Sequence, residues 1–346
     1  MEWQNPYNPF NSAKLFAHVD TWRPLAKGEA PPPVLVTIDP ANACNLKCSY
    51  CNAAKVTGLG TKIPESLNVP LAEFLHKWGV RAVCVAGGGE PLLNPGIIAP
   101  LCEAGIRVGV VTNGLLIEGR RQSLRQCDWV GVSVDAATPQ TYLDLKKVNA
   151  FDCVIENIRR CSADILGDSK SRGHGVFFKY LIVPGNEREI ADAARLARDL
   201  GCRGFHARPA GMPGTNAAVA GEQCAEAQEL GTEDFSVYTV THKVGADMGK
   251  HNDFEQCWGM FLTCIITPHP EGFNVDLCCD RRGDKSMRLA EGLTNPEQIL
   301  DVWGSDKHWA IQGRVNPEKC PRCTYGPHAK IIENVIIKDH MLPDFI

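Results

Sequence analysis

The chain has 346 residues, of which 44% are hydrophobic and 22% charged, and its formal net charge is −4. This length and composition predict one large globular domain or two. The negative charge argues against a surface that binds polyanions over its whole area. No apolar run approaches the ~18 residues that span a bilayer, and no secretory signal is visible. Sixteen cysteines without an export signal favour thiols and metal ligands over disulfides, so we expect a cytoplasmic location.

Residues 1–30 are expected to form an N-terminal extension that contains one helix. Asn11 can cap this helix, and its apolar residues are expected to share one side: Leu15, Phe16, Val19 and Trp22. The prolines at 31–33 end it. We expect the helix to pack over one end of the fold that follows, and binding of a partner is the alternative.

From Val34 onward, strand-like and helix-like segments alternate, which predicts a parallel α/β architecture. The six predicted strands cover residues 34–39, 81–86, 107–112, 130–134, 176–183 and 204–208. Predicted helices lie between them at residues 71–78, 96–104, 139–161 and 187–200. Asn186 and Glu189 have the spacing of a capping box at the start of the last helix.

A passage rich in glycine, alanine and proline follows residue 209 and is typical of a linker. A helix near residues 217–229 and a strand near 235–240 come next. We therefore predict a core of residues 31–210, a connecting segment of residues 211–256 and a small α+β domain of residues 257–346.

Three cysteines with C-x3-C-x2-C spacing come shortly after the first strand: Cys44, Cys48 and Cys51. Soft thiolates at close spacing select zinc or an iron–sulfur cluster. A structural zinc site or an ordinary cubane cluster takes four protein ligands. Three thiolates in one loop therefore indicate a cubane with one iron left open, and a zinc site with a remote fourth ligand is the alternative.

Two further features accompany this loop. Tyr50 precedes the last cysteine, where an aromatic ring can stack on an adenine. The second predicted strand ends in Gly87-Gly-Gly-Glu-Pro91. Glycines at a strand end let the backbone approach a ligand closely, and Glu90 adds an acceptor for a cationic group.

Together these segments resemble the radical S-adenosylmethionine (radical SAM) superfamily. The resemblance implies a partial (β/α)6 barrel and a [4Fe–4S] cluster held by the three cysteines of the loop. It also implies that the open iron chelates the amino and carboxylate groups of the methionine moiety of S-adenosylmethionine (SAM). The amino group would be bound by Gly88, Gly89 and Glu90.

Polar side chains accumulate near the carboxyl ends of the predicted strands, where parallel α/β folds bind ligands. The candidates are Asn113, Ser133, Asp135, Lys179, His206 and Arg208. The resemblance implies that Ser133 and Asp135 contact the ribose of SAM. Lys179 and Arg208 are candidates for its carboxylate or for an acidic group of a substrate. For each residue, the alternative is a strand-end side chain that caps a helix or bridges to a loop.

A second group of six cysteines lies in the C-terminal quarter of the chain: Cys257, Cys264, Cys278, Cys279, Cys320 and Cys323. Their order resembles the SPASM/twitch domains that carry auxiliary [4Fe–4S] clusters in one branch of radical SAM enzymes. The resemblance implies one auxiliary cluster, ligated by Cys257, Cys278, Cys320 and Cys323. The spacing leaves Cys279 open as a replacement for Cys278, and Cys264 for Cys257. A structural zinc on the same thiolates is the alternative.

Other residues near these cysteines and along the chain receive simpler interpretations. The basic residues beside the second group are interpreted as a solvated loop, with phosphate binding as the alternative: Arg281, Arg282, Lys285 and Arg288. Six of the seven remaining cysteines are predicted to be buried small hydrophobic residues: Cys84, Cys102, Cys127, Cys153, Cys161 and Cys202. A spare cysteine near the radical is a candidate hydrogen-atom donor.

The resemblance implies an enzyme that cleaves SAM reductively to a 5′-deoxyadenosyl radical and abstracts a hydrogen atom from an unactivated C–H bond. Dehydrogenation, epimerisation and rearrangement stay open as outcomes. A small polar metabolite such as an aminosugar or a nucleotide is favoured as substrate, because only about thirty residues precede the first strand. A peptide and a base in nucleic acid are alternatives. The expected partner is a reductant such as flavodoxin or ferredoxin, with no membrane. The competing class is a non-catalytic iron–sulfur or zinc protein.

Overall fold

The computed structural model describes residues 11–166, 173–240, 252–320 and 323–338. Its strands are β1 Leu35–Ile38, β2 Ala82–Val85, β3 Arg107–Thr112, β4 Trp129–Ser133, β5 Gly175–Ile182, β6 Gly204–Pro209, β7 Ser236–Thr239, β8 Thr263–His269, β9 Gly272–Asp276 and β10 Arg288–Leu293. Within these residues, no helix combines the length and the apolar character that crossing a membrane requires.

All ten strands belong to one sheet, in the order β10-β9-β8-β1-β2-β3-β4-β5-β6-β7. From β1 to β7, each strand pairs in parallel with the next one along the chain. This run confirms the predicted α/β partial barrel, and β7 extends it with a strand from the predicted connecting segment. On its other side, β1 pairs in parallel with β8, and β8, β9 and β10 form antiparallel pairs. The C-terminal strands therefore continue the barrel sheet.

Helices follow most of the parallel strands. The α-helices are α1 Val19–Trp22, α2 Asn68–Trp78, α3 Ile98–Glu103, α4 Arg121–Leu124, α5 Pro139–Lys146, α6 Phe151–Leu166, α7 Ile190–Asp199, α8 Ala217–Gln228, α9 Gly259–Leu262, α10 Ile299–Val302, α11 Asp306–Arg314 and α12 Gly326–Ile331. The single helix predicted for residues 139–161 is two helices, because the chain turns at Lys147 with a left-handed φ of 63°.

The predicted capping box of α7 is wrong. The side chain of Asn186 does not cap a helix, because it accepts from the backbone N–H of Val183 and donates to the carbonyl of Asp135. The carboxylate of Glu189 accepts from the N–H of Ala137 and from the hydroxyl of Thr141. These donors lie 52 and 48 residues away from Glu189 in the sequence, so neither contact is local. Both side chains therefore hold loops of the barrel together.

The two faces of the parallel strands differ in accessibility. Residues that face the surrounding helices are fully buried, as Val83, Val130 and Val132 show with exposed fractions of 0–1%. Residues that face the barrel interior, such as Cys84 and Ser133, are half-buried. The alternation predicted for the fourth strand is therefore present, and the interior of the barrel is reachable by solvent.

The N-terminal segment packs on the C-terminal part of the chain. Asn11 caps its first turn by accepting from the N–H of Ala13 at 2.9 Å. Its buried apolar residues share a cluster with C-terminal side chains: Leu15, Trp22, Leu25, Phe254, Trp258, Phe261 and Ile332. The expectation that Phe16 and Val19 lie on the buried side is wrong, since they are 60% and 39% exposed.

Candidate cofactor site and auxiliary cysteines

The three cysteines of the first motif lie in the loop that follows β1, and all three are half-buried. Burial raises the pKa of the Cys48 thiol to about 11, and the nearby thiols of Cys51 and Cys44 add to the effect. The backbone N–H of Leu46 donates to Cys44 Sγ at 3.4 Å. Three close, partly buried thiols fit a cluster bound by three protein ligands, because such ligands bind as thiolates that the metal stabilises.

Two of the three glycines after β2, Gly88 and Gly89, rest directly on this cysteine loop. A Cβ atom at Gly89 would lie 2.1 Å from the carbonyl oxygen of Ala43, and one at Gly88 would lie 2.7 Å from Oδ1 of Asn42. The N–H of Glu90 donates to the same Ala43 carbonyl at 2.7 Å. These positions take glycine because two backbone segments meet there without room for a side chain.

Glu90 is a buried carboxylate at the centre of this contact, with 2% of its surface exposed. It accepts from the hydroxyl of Thr112 at 2.6 Å and from the N–H groups of Asn113 and Leu92 at 2.8 and 3.1 Å. Burial raises its pKa, and these hydrogen bonds oppose the rise. A carboxylate has about four acceptor positions, so one is left for a cationic group. The predicted contact with the methionine amino group stays a prediction.

Asn113 links Glu90 to the cysteine loop. Its side-chain amide donates to Oδ1 of Asn45 at 2.7 Å and lies 4.0 Å from Cys44 Sγ. The structure therefore brings Glu90, Asn113 and the cysteine loop together at the carboxyl ends of β1, β2 and β3.

Asp135 holds the cysteine loop against the barrel. It has a left-handed φ of 63°, and its Oδ1 accepts from the N–H of Leu181 at 2.6 Å. Its Oδ2 accepts from the hydroxyl of Tyr50 and from the ammonium of Lys146, both at 2.5 Å. These three donors leave Asp135 one of about four acceptor positions, on Oδ1, and its predicted ribose contact stays a prediction. Ser133 lies beside Lys179 in the ladder and is half-buried, and its ribose contact stays a prediction.

Lys146 is a site residue that the sequence analysis missed. Its side chain is 3% exposed and forms a buried ion pair with Asp135. Its ammonium also lies 5.4 Å from the centroid of the Tyr50 ring, so one face of this ring is covered. The predicted adenine stacking of Tyr50 would use the other face. A lysine at the end of a helix gives no sign of burial in the sequence, because such residues are usually solvated.

Three other candidates meet inside the barrel. Lys179 on β5 places its ammonium 2.6 Å from Nδ1 of His206 on β6. Arg208, two residues further along β6, is exposed and contributes to the lowered pKa of Lys179. Burial is the largest cause of that shift and brings the pKa to about 7. Burial likewise holds the pKa of His206 well below its usual value.

The second cysteine group converges from separate segments. Burial raises the pKa of Cys257 to about 12, and the thiols of Cys278 and Cys320 raise it further. Burial also raises the pKa of Cys323, with Cys257 and Cys278 among the further causes. The four cysteines of the predicted ligand set therefore lie near one another. Cys264 is fully buried in β8, and the charged neighbour that raises its pKa is Asp276 rather than another cysteine.

As they stand, no three His, Cys, Asp or Glu side chains of the described residues are placed to hold a single metal ion.

The prediction that the cysteines outside both groups are buried is wrong for three of them. Cys153 is exposed, and Cys84 and Cys102 are half-buried. Cys127, Cys161 and Cys202 are buried as predicted.

A buried ion pair joins the second cysteine group to the barrel. Arg282, next to Cys279 in the same loop, donates to both carboxylate oxygens of Asp39 at 2.7 and 3.2 Å. Asp39 ends the first strand segment and is 1% exposed. The neighbouring Gly283 has a φ of 76°, and a Cβ there would lie 2.8 Å from a methyl group of Val56. The interpretation of Arg282 as part of a solvated loop is therefore wrong.

The parallel barrel, the three-cysteine loop and the buried Glu90 define the class as an α/β iron–sulfur protein with a ligand site at the strand ends. Residues 38–177 match the model of the radical SAM superfamily, which covers most of the parallel barrel. The predicted resemblance is thereby confirmed. The superfamily uses a [4Fe–4S] cluster and SAM, as predicted for this chain.

Individual relatives match parts of the chain. A probable GTP 3′,8-cyclase of Methanocaldococcus jannaschii is 27% identical over 168 residues, which are 46% of this chain and 53% of the relative. AlbA of Bacillus subtilis, an antilisterial bacteriocin subtilosin biosynthesis protein, is 30% identical over 190 residues, which are 51% of this chain and 39% of AlbA. The chain thus spans about half the length, or less, of these curated relatives.

Solved structures share the fold. Streptococcus suis SuiB bound to the precursor peptide SuiA superposes with a TM-score of 0.64 and 16% identity, covering 95% of this chain and 79% of SuiB. The anSMEcpe structure with bound AdoMet superposes with a TM-score of 0.59 and 16% identity, covering 90% of this chain and 92% of that one. At this identity, the likeness concerns the fold alone.

Proposed function

We propose that this protein is a radical SAM enzyme that abstracts a hydrogen atom from a C–H bond of a polar substrate held inside the barrel. The carrying observation is the packing of the Gly87–Glu90 segment on the loop of Cys44, Cys48 and Cys51. This contact puts a buried carboxylate beside three thiols at the carboxyl end of a parallel barrel. When bound, the cluster and SAM supply an electron and a 5′-deoxyadenosyl radical.

The protein's own residues bind and orient the cluster and SAM, and they exclude water from the site. The three thiolates hold the cluster, and the remaining acceptor position of Glu90 orients the amino group of SAM. The Lys146–Asp135 pair and the Tyr50 hydroxyl fix the cysteine loop to the barrel wall. The helices cover the outer face of the strands, so the substrate binds on the inner face, where bound SAM and substrate would displace water from the site.

The four cysteines Cys257, Cys278, Cys320 and Cys323 are proposed to hold one auxiliary [4Fe–4S] cluster. Their mutual electrostatic effects support this set over one that contains Cys264. An auxiliary cluster beside the barrel can accept an electron from the substrate, which favours dehydrogenation. Epimerisation and rearrangement are the redox-neutral alternatives. The Arg282–Asp39 pair fixes the loop of this cluster to β1.

A small polar metabolite is the proposed substrate, in line with the cationic groups inside the barrel. The second candidate is a peptide, which the similarity to AlbA and the fold shared with peptide-bound SuiB favour. The similarity to GTP 3′,8-cyclases favours a nucleotide within the small-molecule class. A base within nucleic acid is not favoured, because Arg282 and Arg288 of the basic loop are engaged in ion pairs with Asp39 and Asp276.

Anaerobic reconstitution tests the proposal. We expect about eight irons per chain, as two [4Fe–4S] clusters require, and release of 5′-deoxyadenosine that depends on dithionite and SAM. Zinc in place of iron, without SAM cleavage, would instead identify a non-catalytic metalloprotein. Deuterium transfer from labelled candidates into 5′-deoxyadenosine then separates small metabolites from peptides.

A further inference from the structure

Among the residues that the structure describes, no carboxylate pairs with Lys179, which lies in the barrel interior. Two other buried cations near the site have one: Lys146 pairs with Asp135, and Arg282 pairs with Asp39. Lys179 differs from both. Among the described residues, the hydrogen-bond partner of its ammonium is Nδ1 of His206, at 2.6 Å. An ammonium donates and cannot accept, so the imidazole is neutral and acts as the acceptor.

Two aromatic rings near Lys179 favour its charged form without neutralising it. Its ammonium lies 5.2 Å from the centroid of the Trp129 ring and 5.8 Å from that of Phe177. These aromatic faces attract a cation. Burial and Arg208 act in the opposite direction. Burial is the larger cause of the lowered pKa of Lys179, and the positive charge of Arg208 is the second. A buried cation without an anion is costly, and a bound anion would remove that cost.

The strands leave space for this lysine to reach the interior. A Cβ atom on Gly131 of β4 would lie 2.6 Å from Cε of Lys179, so the stem of the lysine runs over this glycine. A Cβ on Gly109 of β3 would lie 2.1 Å from the Trp129 ring. The two glycines therefore accommodate the lysine stem and the ring beside it. Inward-facing Cys84 and Ser133 are half-buried, which shows that the space beside the lysine is accessible.

We propose that Lys179, supported by His206 and Arg208, is a subsite for a terminal oxyanion of the substrate, either a carboxylate or a phosphate. That the anion belongs to a substrate rests on the function proposed above, whereas the binding of an anion at Lys179 does not depend on that function. The ammonium donates to one oxygen of the anion, and the guanidinium of Arg208 adds positive charge nearby.

Equilibrium dialysis of the reconstituted full chain against radiolabelled sulfate, and separately against radiolabelled acetate, tests the subsite. Ionic strength is held constant and SAM is left out. We expect saturable binding to one site and an affinity at least tenfold lower for Lys179→Met. Lys62→Met is the matched control, because Lys62 is exposed and donates to the carbonyl of Leu93, and it should bind as the wild type does. Tighter sulfate indicates a phosphate on the substrate, and tighter acetate indicates a carboxylate.

The pH dependence of the wild type is a second test that does not require a folded variant. The charged and titratable groups that face Lys179 are His206 and Arg208 on β6 and Cys84 on β2. With a lysine pKa of about 7, sulfate affinity should fall about tenfold between about pH 6 and pH 8, because Lys179 loses its proton while sulfate keeps its charge.

Several outcomes would overturn the subsite: no saturable binding of either anion, equal affinity in Lys179→Met, or a flat pH profile. SAM cleavage is measured on the same preparation. Protein that cleaves SAM but binds neither anion refutes the subsite and leaves the proposed function standing. Protein that binds the anions but does not cleave SAM refutes the proposed function and leaves the anion site standing.

Discussion

The two cysteine groups are assembled in opposite ways. Cys44, Cys48 and Cys51 come from one short loop, so their proximity is set by local sequence. Cys257, Cys278 and the pair Cys320 and Cys323 come from three separate segments, brought together by the β8–β9 hairpin and the helices after β10. A local group can be recognised from spacing, whereas the second group requires the tertiary fold.

The groups also differ in what surrounds the sulfur atoms. The first lies beside Glu90, a carboxylate with an acceptor position to spare. The second has four thiols whose pKa values are raised by burial, and its nearby carboxylate, Asp280, accepts from the N–H of Thr324 at 2.7 Å. Three thiols beside an open acceptor suit a site that takes a ligand, and four thiols suit a closed cluster. The following predictions test this difference, from the largest effect to the smallest.

Cys48→Ala should abolish SAM cleavage and remove about half of the bound iron, because one of three ligands is lost while the C-terminal group is untouched. Iron content and 5′-deoxyadenosine release measure the two effects. Cys153→Ala is the control, because Cys153 is an exposed cysteine outside both groups. Loss of all the iron in Cys48→Ala would show that the two groups do not assemble independently.

Arg282→Met should lower the free energy of unfolding by about 3–5 kcal/mol, because it leaves the buried Asp39 carboxylate without its counter-charge. Arg281→Met is the control, since its ion pair with Asp284 is more exposed and should contribute less than about 1 kcal/mol. Adding Asp39→Asn should recover part of the loss. Denaturant unfolding measures these free energies. Equal losses in the two arginine variants would contradict the role of the Arg282–Asp39 pair in fixing the second cysteine group to the barrel.

Glu90→Gln should weaken SAM binding about tenfold or more and lower stability by about 1–3 kcal/mol. The amide that replaces one carboxylate oxygen cannot accept from a backbone N–H, and a hydrogen bond to a charged acceptor is lost. Dialysis with labelled SAM and an unfolding curve measure the two effects. Exposed Glu103→Gln is the matched control. Unchanged SAM affinity in Glu90→Gln would exclude this carboxylate as a ligand of SAM.

His308 should make the C-terminal region sensitive to acid. It is fully buried, stacks on Phe261 at 4.4 Å between ring centroids, and burial lowers its pKa to about 4 from 6.5. Because the folded pKa is depressed, its contribution to stability is full above about pH 6.5 and is lost as pH falls toward 4. The expected loss between pH 7 and pH 5 is about 2 kcal/mol.

Urea unfolding of the wild type and of His308→Gln at both pH values checks this expectation. The variant should be less stable at pH 7 and lose less stability on acidification. His76→Gln on the exposed side of α2 is the control and should follow the wild type. An identical pH dependence in His308→Gln would assign the acid sensitivity to other groups.

The parallel core and the first cysteine group could be predicted from the sequence, because both depend on local signals. Strand alternation identified β1 to β6 within a few residues, and the spacing of three cysteines identified the loop. The glycines after β2 were expected to approach a ligand, and the structure shows that they contact the cysteine loop itself.

The buried charges could not be predicted, because burial of a charge depends on a partner far away in sequence. The sequence neighbours of Lys146 and Arg282 are those of ordinary solvated residues. Their partners Asp135 and Asp39 are brought next to them only by the fold. The same reason explains the wrong capping box, in which Asn186 and Glu189 fit a local pattern but bind distant loops. Local rules fail where a polar side chain has a better partner across the barrel.

The pairing of β1 with β8 has a consequence for biosynthesis. Leu35 lies opposite Thr263 in this ladder, so the strand that precedes the first cysteine loop keeps one unpaired edge until β8 has left the ribosome. Such long sequence separation slows folding and leaves a strand edge open to wrong partners. Nascent chains that stall before β8 should therefore depend on chaperones, and loading of the first cluster should follow, rather than precede, the synthesis of β8.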